Sequence, residues 1–69
     1  MKKKVYIDGM SCEHCVKRVE KALLALPGVE SVQVNLDGKS AVITAGEFPT
    51  DEAIKTAVTE AGYQVTGIE

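Results

Sequence analysis

The apolar residues of this chain switch back and forth between two repeats, and the order of those switches restricts the fold more than any single residue does. Val5 and Ile7 alternate with polar neighbours across 4–8, the period of a strand with one buried face. Val16, Val19, Leu23 and Leu26, with Ala22 beside them, then recur at helical spacing, while Lys17, Arg18, Glu20 and Lys21 take the opposite side. Pro27-Gly28 closes that helix, the proline by removing a donor and the glycine by allowing an unusual turn. Alternation returns with Val32, Val34 and Leu36, and Asp37-Gly38 signals a hairpin into a third strand with Ala41, Ile43 and Ala45 on one face and Val42 and Thr44 on the other. Thr50 is placed to cap a second helix, whose first turn carries Asp51 and Glu52 and whose apolar stripe is Ala53, Ile54, Ala57, Val58 and Ala61. Gly62 caps its end, and Tyr63 to Ile68 forms a short last strand.

The order is therefore β-α-β-β-α-β. Two split βαβ units with right-handed crossovers give an α+β, ferredoxin-like sandwich: a four-stranded antiparallel sheet with both helices on one face. With 69 residues and no linker, repeat or low-complexity segment, the chain reads as one domain over 1–69, near the lower limit for folding alone. Aromatic residues make up only 4% of it, so the core is expected to be aliphatic. This fold hosts many functions and decides none of them. It does place groups: the loop after the first strand, the start of the first helix and Tyr63 should share one end of the molecule.

Charge and segment composition remove several classes of function. A net charge of −2 argues against general nucleic-acid binding, and Tyr6 alone is no platform for stacking bases. Lys2-Lys3-Lys4 resembles the start of an export signal, but Val5-Tyr6-Ile7-Asp8-Gly9 contains a charge and forms no apolar run after it. No stretch reaches membrane-spanning length, so no direct membrane insertion is expected. A cytoplasmic location is the expectation, and there a close cysteine pair serves metal or redox chemistry more often than a structural disulfide.

Cys12-Glu13-His14-Cys15 is the segment that stands out chemically. Its two thiols straddle a loop-to-helix junction and can converge on one ion. The helix N-terminus offers partial positive charge and free N–H groups that favour thiolate, the metal-binding form. Thiolates select soft ions, and two of them in near-linear geometry satisfy Cu(I) while leaving room for an incoming ligand. Rival uses of C-x-x-C fit less well. A thioredoxin-like site belongs to a longer fold with a cis-proline facing the dithiol, and neither Pro27 nor Pro49 is placed for that. Structural zinc wants four ligands, where two Cys and one His fall short. Haem attachment needs His where Val16 stands, and an iron–sulfur cluster needs more cysteines.

Gly9-Met10-Ser11-Cys12-Glu13-His14-Cys15 resembles the GMTCxxC signature of heavy-metal-associated domains, found in copper chaperones and in the N-terminal domains of copper ATPases. The likeness continues through Leu26-Pro27-Gly28-Val29, Val32-Gln33-Val34-Asn35-Leu36 and Ala61-Gly62-Tyr63, covering nearly the whole chain. Ser11 stands where Thr is commoner, and both supply a hydroxyl. The resemblance implies a Cu(I) carrier, not an enzyme, that passes its ion to a partner dithiol through a shared intermediate with three sulfur ligands. It implies a P-type copper ATPase as that partner. Met10, a possible thioether ligand, takes a buried role on the same grounds. His14 falls at a position the family leaves variable; on the first helical turn it is expected to face solvent, the other reading being a third ligand. Tyr63 keeps two readings, as a cover for the end of the core or, as in bacterial copper chaperones, as a shield that tunes thiolate charge.

Two further expectations concern partners and metal choice. Up to Lys21 the chain carries six basic and three acidic side chains, and beyond it two basic and seven acidic. Lys17, Arg18 and Lys21 thus form a basic helix face beside the metal loop, either simply solvated or suited to docking on an acidic partner domain. Related domains of zinc-transporting ATPases carry Asp directly before the first Cys, where this chain has Ser11, so the loop should prefer Cu(I) to Zn(II). The alternatives are a carrier or detoxifier of Hg(II), Zn(II) or Cd(II) and a thiol-disulfide oxidoreductase. The opening Met1 and full set of elements suggest a free-standing chaperone, although an excised ATPase domain would read the same. The expected state is a monomer without metal, with a metal-bridged dimer as the other possibility once metal is bound.

Overall fold

Alternation across the first segment produces strand β1, Lys2–Asp8, with Val5 and Ile7 buried and Lys2, Lys4 and Asp8 exposed. The computed structural model describes residues 2–69; Met1, used above in the reading as a free-standing chaperone, lies outside the described residues. Helix α1, Glu13–Leu24, buries Val19 and Leu23 and leaves Lys17, Arg18 and Lys21 exposed. It stops short of Leu26, the last residue of the apolar repeat. The physical reason is Pro27, whose ring disfavours helical geometry at the residue before it. Leu26 instead donates its N–H to Leu23 O at 3.1 Å in a tight turn, and its side chain still packs against the core. Gly28 follows at φ +86°, and a Cβ there would come within 2.4 Å of the Glu47 carbonyl oxygen, so only glycine closes this corner.

Strands β2 (Val29–Asn35) and β3 (Ser40–Ala45) form the hairpin. Its turn is wider than the two-residue turn that Asp37-Gly38 signals. Asn35 pairs with Ser40, the Asn35 side chain accepts the Gly38 N–H at 3.0 Å, and Lys39 rather than Gly38 adopts positive φ. Leu36 therefore leaves the strand while remaining packed against the core. Helix α2, Asp51–Glu60, starts as its sequence implies, with Thr50 Oγ1 accepting the Ala53 N–H at 3.1 Å. It ends in a Schellman turn: Gly62 N–H reaches Thr59 O at 3.0 Å, Tyr63 N–H reaches Val58 O at 3.1 Å, and Gly62 sits at φ +101°. Strand β4, Gln64–Ile68, follows.

The sheet order is β2-β3-β1-β4 and every pairing is antiparallel, as the β-α-β-β-α-β order requires. Both helices cover one face, where Val5, Ile7, Val19, Leu23, Ile43, Ile54 and Val58 are fully buried. At about 1.5–3 kcal/mol for each such side chain, this aliphatic cluster is the main source of stability. Lys3 reaches from β1 to Asp51 Oδ1 at 3.1 Å and lies 5.2 Å from the centre of the Phe48 ring, tying β1 to the start of α2. Among the described residues no helix is long and apolar enough to cross a membrane.

Candidate metal centre

Three junctions meet at one end of this sandwich: the exit of β1, the start of α1 and the handover from α2 to β4. Gly9 ends β1 at φ +97°, a conformation L side chains rarely adopt, and its Cα faces Tyr63, whose Cδ1 lies 3.5 Å from where a Cβ would stand. Met10 is 7% exposed and belongs to the core cluster, so it pins the loop from below, the role the resemblance implied. Ser11, Cys12, Glu13 and His14 are exposed, and Cys15 is half-buried against the core.

Cys12 occupies the N-cap of α1 in an extended conformation, and its carbonyl accepts the N–H groups of Cys15 at 3.0 Å and Val16 at 3.3 Å. Its sulfur makes no capping bond, which leaves it available to a ligand. One helical turn brings the two sulfurs to 3.7 Å, and the Ser11 hydroxyl lies 3.9 Å from the Cys15 sulfur.

The Cys15 thiol is held down to about 6 from an ordinary 9.0. The backbone N–H of Ser11 contributes most, the Tyr63 hydroxyl next, and the Cys12 thiol and N–H add to both, while burial opposes them. The sequence pointed to the helix N-terminus as the origin of thiolate character; the structure concentrates the effect in Ser11 and in a tyrosine from the far end of the chain. Tyr63 is pushed up in turn, first by its hydrogen bond to Cys15, then by burial and by the Cys15 charge, with Arg18 pulling the other way. Tyr63 thus packs against the core cluster and, from the same position, lowers the Cys15 thiol. The part of Arg18 in this cluster was not read from the sequence, although its place three residues after Cys15 on one helix was a usable signal.

The donor set is two soft sulfurs. Among the described residues no group of three or more His, Cys, Asp or Glu side chains converges on one point, and His14 and Glu13 are exposed. Such a set suits an ion content with two thiolates and falls short of the four ligands of a closed zinc site. Two metal–sulfur bonds of about 2.3 Å laid end to end need roughly 4.6 Å, so a near-linear ion requires the sulfurs to part by about 1 Å. Exposure of Cys12 leaves its side chain free to make that movement.

Known proteins resemble this chain over most of its length. The chain is 44% identical over 62 residues to the copper chaperone CopZ of Staphylococcus epidermidis, covering 88% of this chain and 91% of that protein. It is 46% identical over 57 residues to copper-transporting ATPase 2 of Rhizobium meliloti, covering 83% of this chain but only 7% of the transporter. A solved CopZ metallochaperone superimposes with a TM-score of 0.88 at 31% identity, over 96% of this chain and all of that one. The family model of the heavy-metal-associated domain matches residues 4–64, nearly the full length, and the chain accordingly belongs to the heavy-metal-associated domain family.

Proposed function

We propose that this chain is a cytoplasmic carrier of Cu(I) that holds one ion on Cys12 and Cys15 and delivers it to a second dithiol. The observation that carries the reading is the site itself: two sulfurs 3.7 Å apart at an exposed helix start, one of them favouring thiolate near neutral pH. Relatives named as copper chaperones and as copper-transporting ATPases support copper as the cargo and an ATPase as the acceptor.

Delivery follows from the geometry. Cys12 is the exposed member of the pair, so an incoming thiolate approaches on its side. The ion gains that third sulfur, then loses one of its own, and no covalent bond of a substrate is made or broken. An acceptor with the same donor set makes the exchange nearly neutral in energy, so direction is set by what removes the ion downstream. Dithiol oxidoreduction finds less support. Pro27 lies beyond the far end of α1, about 18 Å along its axis from the cysteines, and Pro49 precedes α2, whose opposite end carries Tyr63.

The test is transfer. Cu(I)-loaded protein mixed with the metal-free N-terminal domain of a copper-transporting ATPase should reach a shared distribution of the metal quickly, without free ion that a chelator intercepts. Cys12→Ser and Cys15→Ser should each abolish tight loading. Full retention of affinity by either variant defeats the site assignment, and transfer only through chelatable ion defeats the carrier reading.

A further inference from the structure

We infer that copper reaches this chain only after a separate one-electron reduction, because Cu(II) is not cargo for the site but an oxidant that closes Cys12 and Cys15 into a disulfide. The order rests on the carrier reading for its cargo; the oxidation of the cysteine pair does not. Cu(II) favours nitrogen and oxygen donors in a tetragonal array, whereas thiolate sulfur selects Cu(I). Among the described residues no group of three or more His, Cys, Asp or Glu side chains converges on one point, so no imidazole or carboxylate joins the two sulfurs in a Cu(II) shell.

Geometry decides what Cu(II) does there instead. The sulfurs lie 3.7 Å apart, and the chain has no other cysteine. A disulfide needs about 2.05 Å, so they must close by roughly 1.7 Å. Cys12 can make that movement, because it is exposed and its sulfur makes no capping bond to α1. The side chain that swings outward to admit a near-linear ion swings inward to exclude one.

Electrons and atoms balance with two ions per pair. Each thiol gives up one proton to solvent and one electron to a Cu(II), an S–S bond forms, and both ions become Cu(I). The oxidised chain has spent both donors and holds neither ion, so each Cu(I) passes to an intact chain. Three chains and two Cu(II) therefore give about one disulfide chain and two loaded ones. A low-molecular-weight thiol that meets the Cu(II) first takes the chain's place: two of its molecules form the disulfide, and the protein stays reduced for loading.

The test is an oxygen-free titration of reduced, metal-free protein with copper(II) sulfate at two ions to three chains. The paramagnetic Cu(II) signal should vanish, and desalting should leave Cu(I) on about two thirds of the chains. After a Cu(I)-selective chelator strips that metal, alkylation and mass spectrometry should find about a third of the chains monomeric and closed at both cysteines, against none when Cu(I) is supplied directly. A small thiol added ahead of the Cu(II) should protect them all. In Cys12→Ser, where Cys15 has no second sulfur in its own chain, the same treatment should give disulfide-linked dimers. A surviving Cu(II) signal with both cysteines open to alkylation, or linked dimers from the parent protein, would overturn the inference. Closed chains with no copper retained by the rest would uphold it while defeating the carrier reading.

Discussion

Acidifying the metal-free protein from pH 8 to pH 5 should discharge Cys15 over a range in which an ordinary cysteine is already mostly neutral. With its thiol held to about 6, Cys15 is about 99% thiolate at pH 8 and about 9% at pH 5. A thiol at the ordinary 9.0 would be only about 9% thiolate at pH 8. Ultraviolet absorbance of the thiolate measures this directly in Cys12→Ser, which leaves Cys15 as the one thiol and keeps a hydroxyl donor beside it. The midpoint should fall near 6 and rise in Tyr63→Phe, because the variant loses a donor to the charged form. Stability follows by linkage. The folded thiol is more acidic than the unfolded one, so the contribution of Cys15 is fully present above the unfolded value, shrinks as pH falls from about 9.0, and is gone below about 6. Melting of the parent protein relative to Cys15→Ser should therefore improve steadily from pH 6 to pH 9. A midpoint near 9.0 that ignores Tyr63→Phe would refute the assignment of Ser11 and Tyr63 as the groups holding the thiolate.

Ser11→Asp places a carboxylate beside the two sulfurs, and competition titrations should show zinc affinity rising and the preference for Cu(I) narrowing. A parent protein that already binds zinc as firmly as the variant would contradict this. Gly28→Ala forces a Cβ toward the Glu47 carbonyl in a left-handed conformation. Urea unfolding should show a loss of about 2 kcal/mol or more while copper stoichiometry stays unchanged, since the corner lies at the far end of α1. The metal-free protein should give a dispersed amide spectrum, because the core cluster is complete without the ion, and copper should raise the melting temperature only through its preferential binding to the folded state. A collapsed spectrum without metal would show that the ion is structural.

The element order was legible because buried strands and helices leave different repeats. Val5 and Ile7, Ala41, Ile43 and Ala45, and Ile54 and Val58 are all buried, as their spacing implied. Element ends were less legible, because local and tertiary demands compete there. Leu26 keeps its packing position but leaves α1 under the constraint of Pro27, and Leu36 keeps its packing position but leaves β2 when Asn35 closes a wider turn. At the site, Cys12 and Cys15 could be named from spacing and flanking residues. The environment of the thiolate could not be. Tyr63 is 48 positions from Cys15, and only the Schellman turn after α2 delivers it to the loop.

The most direct test of the central claim is X-ray absorption at the copper edge on protein loaded with one equivalent of Cu(I) under reducing conditions, without added thiol. The account predicts one ion per chain with two sulfur neighbours and no nitrogen or oxygen within bonding distance. Loss of both sulfur neighbours is predicted when Cys12→Ser and Cys15→Ser are combined. A nitrogen neighbour that disappears in His14→Ala, or a four-coordinate ion in the monomeric chain, would contradict it.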